Sequence, residues 1–214
     1  MAAADPFQGR EPTSHERMTG LPWDASYQDG PAPWDVGRPQ PAIARVAGDF
    51  IGPVLDVGCG TGDNALLIAG LGLSVLGVDV ADTAVRLARA RAAGRGIVAE
   101  FAVADAFRLG ELGRRFKTVV DSGMLHTLDA EERPRYVASL ASAIDPGGTL
   151  YVLAFSDEGP DAGPHPVTRE ELTAAFGQGW DVVSLESDRV LTRYHDDHGA
   201  PAWLAIVRRV PSPT

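Results

Sequence analysis

The chain has 214 residues, 44% hydrophobic and 22% charged, the make-up of one globular domain with a sizeable core. Its net charge of −10 would repel a polyanion such as DNA or RNA, and no apolar run approaches the roughly 20 residues that cross a bilayer. A single cysteine, Cys59, excludes an internal disulfide and any cysteine-cluster zinc site.

Residues 1–33 are rich in proline, glycine and polar side chains without a sustained period, which reads as loop or mobile arm. They lack the apolar core of a secretory signal, so the cytoplasm is the expected location. Trp23, Tyr27 and Trp34 punctuate the arm and its edge, so part of it is expected to dock on the body, as a lid over residues 34–214.

From about residue 40 strand and helix signals alternate. Short apolar runs at 54–57, 74–78, 97–103, 118–120 and 149–155 read as buried strands. Ala81, Ala84, Val85, Ala88 and Ala92 share one helical face, with Arg86, Arg89 and Arg91 mostly turned away. A second helix covers roughly 130–143, with Pro134 tolerated only near its first turn. A third opens at Thr168 and Glu171, a capping-box pair. Residues 181–194 and 202–209 read as strands joined by a connection too short for anything but an antiparallel pair. The expected fold is an α/β, Rossmann-like, doubly wound sheet of seven strands, mostly parallel, closed by a C-terminal antiparallel hairpin.

The sharpest signal is Val54-Leu-Asp-Val-Gly-Cys-Gly-Thr-Gly62, a buried strand running into three glycines and then a helix at 63–70. Glycine lets backbone approach a ligand closely with positive φ, and the helix start offers free amides and a partial positive charge. Seventeen residues beyond Gly62 the next strand ends at Asp79, where a carboxylate can accept both ribose hydroxyls of an adenosine ligand. A nicotinamide-dependent dehydrogenase is the rival, but Gly58-x-Gly60-x-Gly62 departs from the G-x-G-x-x-G fingerprint. Lys117, the only lysine, has no tyrosine four residues before it, as the short-chain dehydrogenases require. A G-x-x-x-x-G-K-[ST] phosphate loop is absent too.

Asp56-Val-Gly-Cys-Gly-Thr-Gly62 resembles the first motif of class I S-adenosylmethionine-dependent methyltransferases, and Val78-Asp79-Val80 their second. The resemblance spans about residues 33–210 and implies S-adenosylmethionine as cofactor. It places Asp56, Gly58, Cys59, Gly60 and Gly62 at the methionine portion and Asp79 on the ribose. Val80 then packs on the adenine, Asp105 and Ala106 meet its edge, and Asp121 and Ser122 end the fourth strand beside the reacting sulfur. Asp145-Pro-Gly-Gly148 matches the turn before the family's fifth strand. Pro33–Pro41, with Asp121-Ser-Gly-Met-Leu-His126, resembles small-molecule methyltransferases of the thiopurine and heterocyclic toxin types, which act on O, N or S of aromatic compounds.

Methyl transfer needs alignment, exclusion of water and, for some acceptors, removal of a proton. His126 is a candidate general base or orienting group, since an ordinary imidazole pKa of about 6.5 lets it take a proton at neutral pH. Asp121 is a second candidate, either as base or in positioning. Cys59 reads as packing, not as a nucleophile. His195-Asp-Asp-His198 invites a metal reading, yet it fits a solvated hairpin loop better, with His195 facing the acceptor pocket and no metal. Tyr27 and Trp34 could stack on a flat acceptor, and Trp34 also fits the cofactor. The expected partner is a small-molecule acceptor, with no nucleic acid and no membrane. A protein acceptor, or cofactor binding without catalysis, are the alternatives, and the oligomeric state is left open.

Overall fold

In the computed structural model, residues 5–7, 9–159, 163 and 165–211 are described. Seven strands form one sheet: β1 (Val54–Val57), β2 (Val75–Asp79), β3 (Glu100–Val103), β4 (Phe116–Ser122), β5 (Ile144–Phe155), β6 (Trp180–Val190) and β7 (Ala200–Arg209). Their order is β3-β2-β1-β4-β5-β7-β6, with the first five parallel and β7 antiparallel to both neighbours. The sheet therefore matches the doubly wound arrangement with a terminal hairpin.

Strand side chains alternate between two cores because successive Cβ atoms point to opposite faces. Leu55, Val57, Val119 and Val152 pack on one side, with Tyr136 and Leu140 of the helix α5 (Glu132–Ala143). Val54, Val120 and Leu153 pack on the other. There they meet α3 (Asp63–Gly70) and α4 (Asp82–Arg95) through Leu66, Ile68, Val85 and Ala88. Pro134 falls within the first turn of α5, where its missing N–H has no intrahelical use.

Three strand limits differ from the sequence pattern by more than two residues, each for an identifiable reason. Residue 97 belongs to the end of α4: Gly96 is left-handed and the Ile97 N–H bonds back to the Ala92 carbonyl, so β3 starts only at Glu100. The fifth strand begins at Ile144 and takes the Asp145–Gly148 segment into itself, with a register irregularity against β4. After Val190 the chain leaves the sheet because the Gln40 side chain takes over Leu191, accepting its N–H at 2.7 Å and donating to its carbonyl at 2.9 Å. Arg91 also departs from expectation: it reaches back from α4 to Asp35, Thr61 and Asp63 instead of turning to solvent.

The arm is more structured than its composition suggests. It holds α1 (Ser14–Thr19) and a 3-10 turn (Trp23–Tyr27). Thr13 and Glu16 form a reciprocal capping box, and the fully buried Glu16 also accepts the Trp23 N–H and the Arg10 guanidinium. Ser14 donates to the Thr127 carbonyl at 2.8 Å, and Asp24 accepts the Thr83 N–H at 2.7 Å, so the arm is tied to both sides of the sheet's carboxyl edge. A short helix on Pro41–Val46, α2, follows with proline at its first position. The last helix, α6 (Arg169–Ala175), has the expected capping box.

Candidate active site

The turn after β1 needs its glycines. Gly58, Gly60 and Gly62 have φ of 65°, 53° and 86°, a region that side chains disfavour. A Cβ on Gly60 would also stand 3.1 Å from the Tyr27 hydroxyl, and one on Gly62 would press into the Phe101 ring at 2.8 Å. Cys59 packs beneath the turn, with its thiol directed at the Gly60 carbonyl, as a small buried residue would. The turn delivers the chain to the start of α3, whose first amides lack intrahelical acceptors.

Asp79 closes β2 beside this turn. Its Oδ2 accepts the Gly60 N–H and its Oδ1 the Ala81 N–H, each at 2.9 Å. Each carboxylate oxygen keeps a lone pair, and the side chain borders a cavity of about 410 Å³. A cis-diol donating to both oxygens would complete the set, which is the chemistry a ribose offers. Burial pushes the Asp79 pKa up, with the Asp24 carboxylate adding to it, against the backbone amides that hold it down.

The strand order divides the cavity. Val80, Asp105 and Ala106 follow β2 and β3 on one side of the glycine turn, whereas Ser122 and His126 follow β4 on the other. Asp105 uses one oxygen to cap the next turn through the Phe107 N–H at 2.9 Å. Trp34 stands at the wall, its indole donating to the Tyr27 hydroxyl at 2.7 Å. His195 borders the far end, its Nδ1 paired with the Thr192 hydroxyl at 2.7 Å. In the same hairpin the Asp196 carboxylate accepts the His198 N–H, so it is engaged in shaping the loop.

Four expectations change. Asp121 is fully buried and outside the cavity lining. Its Oδ1 accepts the Met124 and Leu125 N–H groups, and its Oδ2 the Tyr136 hydroxyl at 2.9 Å. It shapes the turn that carries Ser122 and His126, and burial raises its pKa to about 6. Asp56 likewise lies under the turn and off the lining, with burial pushing its pKa up to about 7. Tyr27, expected at the acceptor, also reaches the glycine turn: its buried hydroxyl stands over Gly60 and within the field of Asp79. Finally, burial draws the His126 pKa down to about 3, and His165, His15 and Arg133 push the same way, so the ring is neutral and a poor base at neutral pH.

His126 does border the cavity, its ring 4.5 Å from that of Phe155. Sequence reasoning missed its companions. His15 stacks on Trp23 at 4.3 Å, and His165 meets His15 edge-on at 5.6 Å. These rings come from α1, the 3-10 turn after β4 and the segment before α6, which no local pattern relates. The one legible signal was Thr13-Ser-His-Glu16, a capping box that places His15 in the first turn of a helix.

A doubly wound sheet with this strand order, a glycine cradle after its first strand and an acid ending its second, defines an adenosine-cofactor protein of the methyltransferase class. The comparisons with known proteins agree. Residues 54–148 match the family model described as a methyltransferase domain. The chain is 38% identical over 164 residues to the 2-heptyl-1-hydroxyquinolin-4(1H)-one methyltransferase of Mycobacteroides abscessus, covering 74% of this chain and 72% of that one. It is 28% identical over 169 residues to a probable thiol methyltransferase of Arabidopsis thaliana, covering 76% and 75%. A solved structure from work on conversion of a disulfide bond into a thioacetal group during echinomycin biosynthesis superposes with a TM-score of 0.80 at 34% identity, over 89% of this chain and 93% of that one. The chain belongs to the class I S-adenosylmethionine-dependent methyltransferases, and S-adenosylmethionine is its cofactor. No helix among the described residues is long and apolar enough to cross a membrane.

Proposed function

We propose that the enzyme methylates an oxygen, nitrogen or sulfur atom of a small aromatic or heteroaromatic acceptor. The observation that carries this reading is the ring-lined end of the cavity beyond Ser122. His126 and Phe155 form one wall there, and His15 on Trp23, itself edge-on to Trp34 at 5.5 Å, forms another. Flat acceptors gain most from such walls, since offset and edge-on ring contacts add to the area they bury. Two relatives support the chemistry: one is named for a hydroxyquinolone and another for thiols. A net charge of −10 favours a small acceptor over nucleic acid.

In this reading Asp79 holds the ribose, Val80 and Ala106 cover the adenine, and Asp105 meets its edge. Gly58, Cys59 and Gly60 give the methionine portion their backbone, with Trp34 at its side. When bound, S-adenosylmethionine supplies a methyl group activated by positive sulfur. The protein's part is to align the acceptor with that methyl and to keep water out. Residues 1–33 act as the cover, since Arg10, His15 and Trp23 reach the same cavity from the arm. A methyl-transfer screen over phenols, hydroxyquinolones, thiols, azoles and peptides, with products detected by mass, tests the reading. Turnover confined to peptides would contradict it.

A further inference from the structure

Four of the chain's five histidines border the cavity, and two of them share an unusual wiring. The Nδ1 atoms of His15 and His126 are enclosed and, among the described residues, have no hydrogen-bond partner. Both side chains line the cavity, and with Nδ1 enclosed, Nε2 is the nitrogen left to face a ligand. An enclosed N–H without an acceptor is more costly and rarer than an enclosed lone pair. The favoured tautomer of both rings therefore carries its proton on Nε2, and the nitrogen that meets a ligand is a donor.

We propose that His15 and His126 form a pair of neutral N–H donors that hold the acceptor as an anion, so that the enzyme selects phenols, heteroaromatic hydroxyls and thiols acidic enough to ionise without a protein base. The proposal rests on the aromatic-acceptor reading above and narrows it. The acceptor gives its proton to water before binding. Its heteroatom then bonds the methyl carbon as the carbon–sulfur bond breaks, and that electron pair stays on sulfur.

The surroundings keep both rings neutral. Burial lowers the His126 pKa, with His165, His15 and Arg133 facing it and Phe155 covering its ring. Burial and His165 lower that of His15, against the carboxylate of Glu16. A neutral imidazole N–H can hydrogen-bond an anion without surrendering its proton, whereas an imidazolium this acidic would protonate it. His15 is also fixed in direction, stacked on Trp23 and capped edge-on by His165, whose φ of 55° is unusual outside glycine.

4-Nitrophenol tests this because its visible absorption reports its own ionisation. Titrated into the full-length enzyme saturated with S-adenosylhomocysteine, it should bind as the coloured phenolate, with an apparent pKa about one unit lower, a tenfold preference for the anion. His126→Leu and His15→Leu should each remove much of that shift, and His126→Gln and His15→Asn, which keep an N–H donor, should restore most of it. The acid limb of kcat/KM should follow the acceptor's own pKa between 4-nitrophenol and 2-heptyl-1-hydroxyquinolin-4(1H)-one. Binding of colourless phenol, or one shared acid limb for both acceptors, would overturn the proposal. If neither compound binds, the aromatic-acceptor reading itself fails, and the proposal with it.

Discussion

The Gly60 N–H donates to the Asp79 carboxylate at 2.9 Å, so the turn that ends β1 and the acid that ends β2 are held as one unit. Two turns nineteen residues apart thereby present a single surface to the cofactor. The bond also orients the carboxylate, because its other oxygen is pinned by Ala81.

Replacing Asp79 should therefore weaken cofactor binding in two ways. Asp79→Ala removes the acceptors for the ribose and frees the turn, and should cost about 1.5–3 kcal/mol per lost charge-assisted hydrogen bond. Asp79→Asn keeps one carbonyl oxygen and should fall between the two. Calorimetry with S-adenosylhomocysteine reads both, and unchanged affinity in the alanine variant would remove Asp79 from the ribose site.

The buried Asp56 predicts a pH-dependent stability. Burial raises its folded pKa from an ordinary 3.8 to about 7, with Asp79 and Asp121 adding to the effect. The folded state then holds a proton that the unfolded state has lost. Stability from this group is fully present below the unfolded pKa and is lost as pH rises through about 7, on the order of 4 kcal/mol in all. Asp56→Asn cannot ionise, so urea unfolding should show its stability gaining on the natural protein from pH 5 to pH 8. Parallel curves across that range would contradict the shift.

The arm predicts a functional division. Glu16 organises it from a fully buried position, taking Arg10, Thr13 and Trp23 at once, and none of the sheet depends on it. Deletion of residues 1–22, which spares Tyr27 and Trp34, should leave the core folded, raise the acceptor KM and lower turnover, with cofactor affinity less affected. Glu16→Gln should shift acceptor KM in the same direction by a smaller amount. Full activity in the truncated protein would leave the cover without support.

Arg91 joins three elements, reaching Asp35 at 2.9 Å, Thr61 at 2.7 Å and Asp63 at 2.6 Å. Asp35 adjoins Trp34, while Thr61 and Asp63 flank Gly62. Arg91→Leu should therefore loosen wall and turn together and weaken S-adenosylhomocysteine binding several-fold, and Arg91→Lys, which lacks the fork, should recover only part of it. An unaltered affinity in the leucine variant would show that the wall stands without the clasp.

What the sequence made legible follows physical locality. A strand, a glycine turn, a helix start and a terminal acid lie within a short stretch, and their order forecasts a turn and an acid serving one adenosine ligand. The hairpin was legible because its connection is too short to cross the sheet. The arm was not, since α1 is six residues long and owes its form to Glu16 meeting Arg10 and Trp23. Asp121 misled because strand-end acids often face ligands, and only packing shows Tyr136 occupying its second oxygen. His126 misled differently: it borders the cavity, but beside its burial the groups that press its pKa down, His15, His165 and Arg133, come from three other segments.

The most direct test of the account is incubation of the purified enzyme with methyl-labelled S-adenosylmethionine and 2-heptyl-1-hydroxyquinolin-4(1H)-one. The account predicts a product one labelled methyl heavier, formed together with S-adenosylhomocysteine, and lost with Asp79→Ala at limiting cofactor. Tight cofactor binding with no label transferred to this or any phenol, thiol or azole would contradict it.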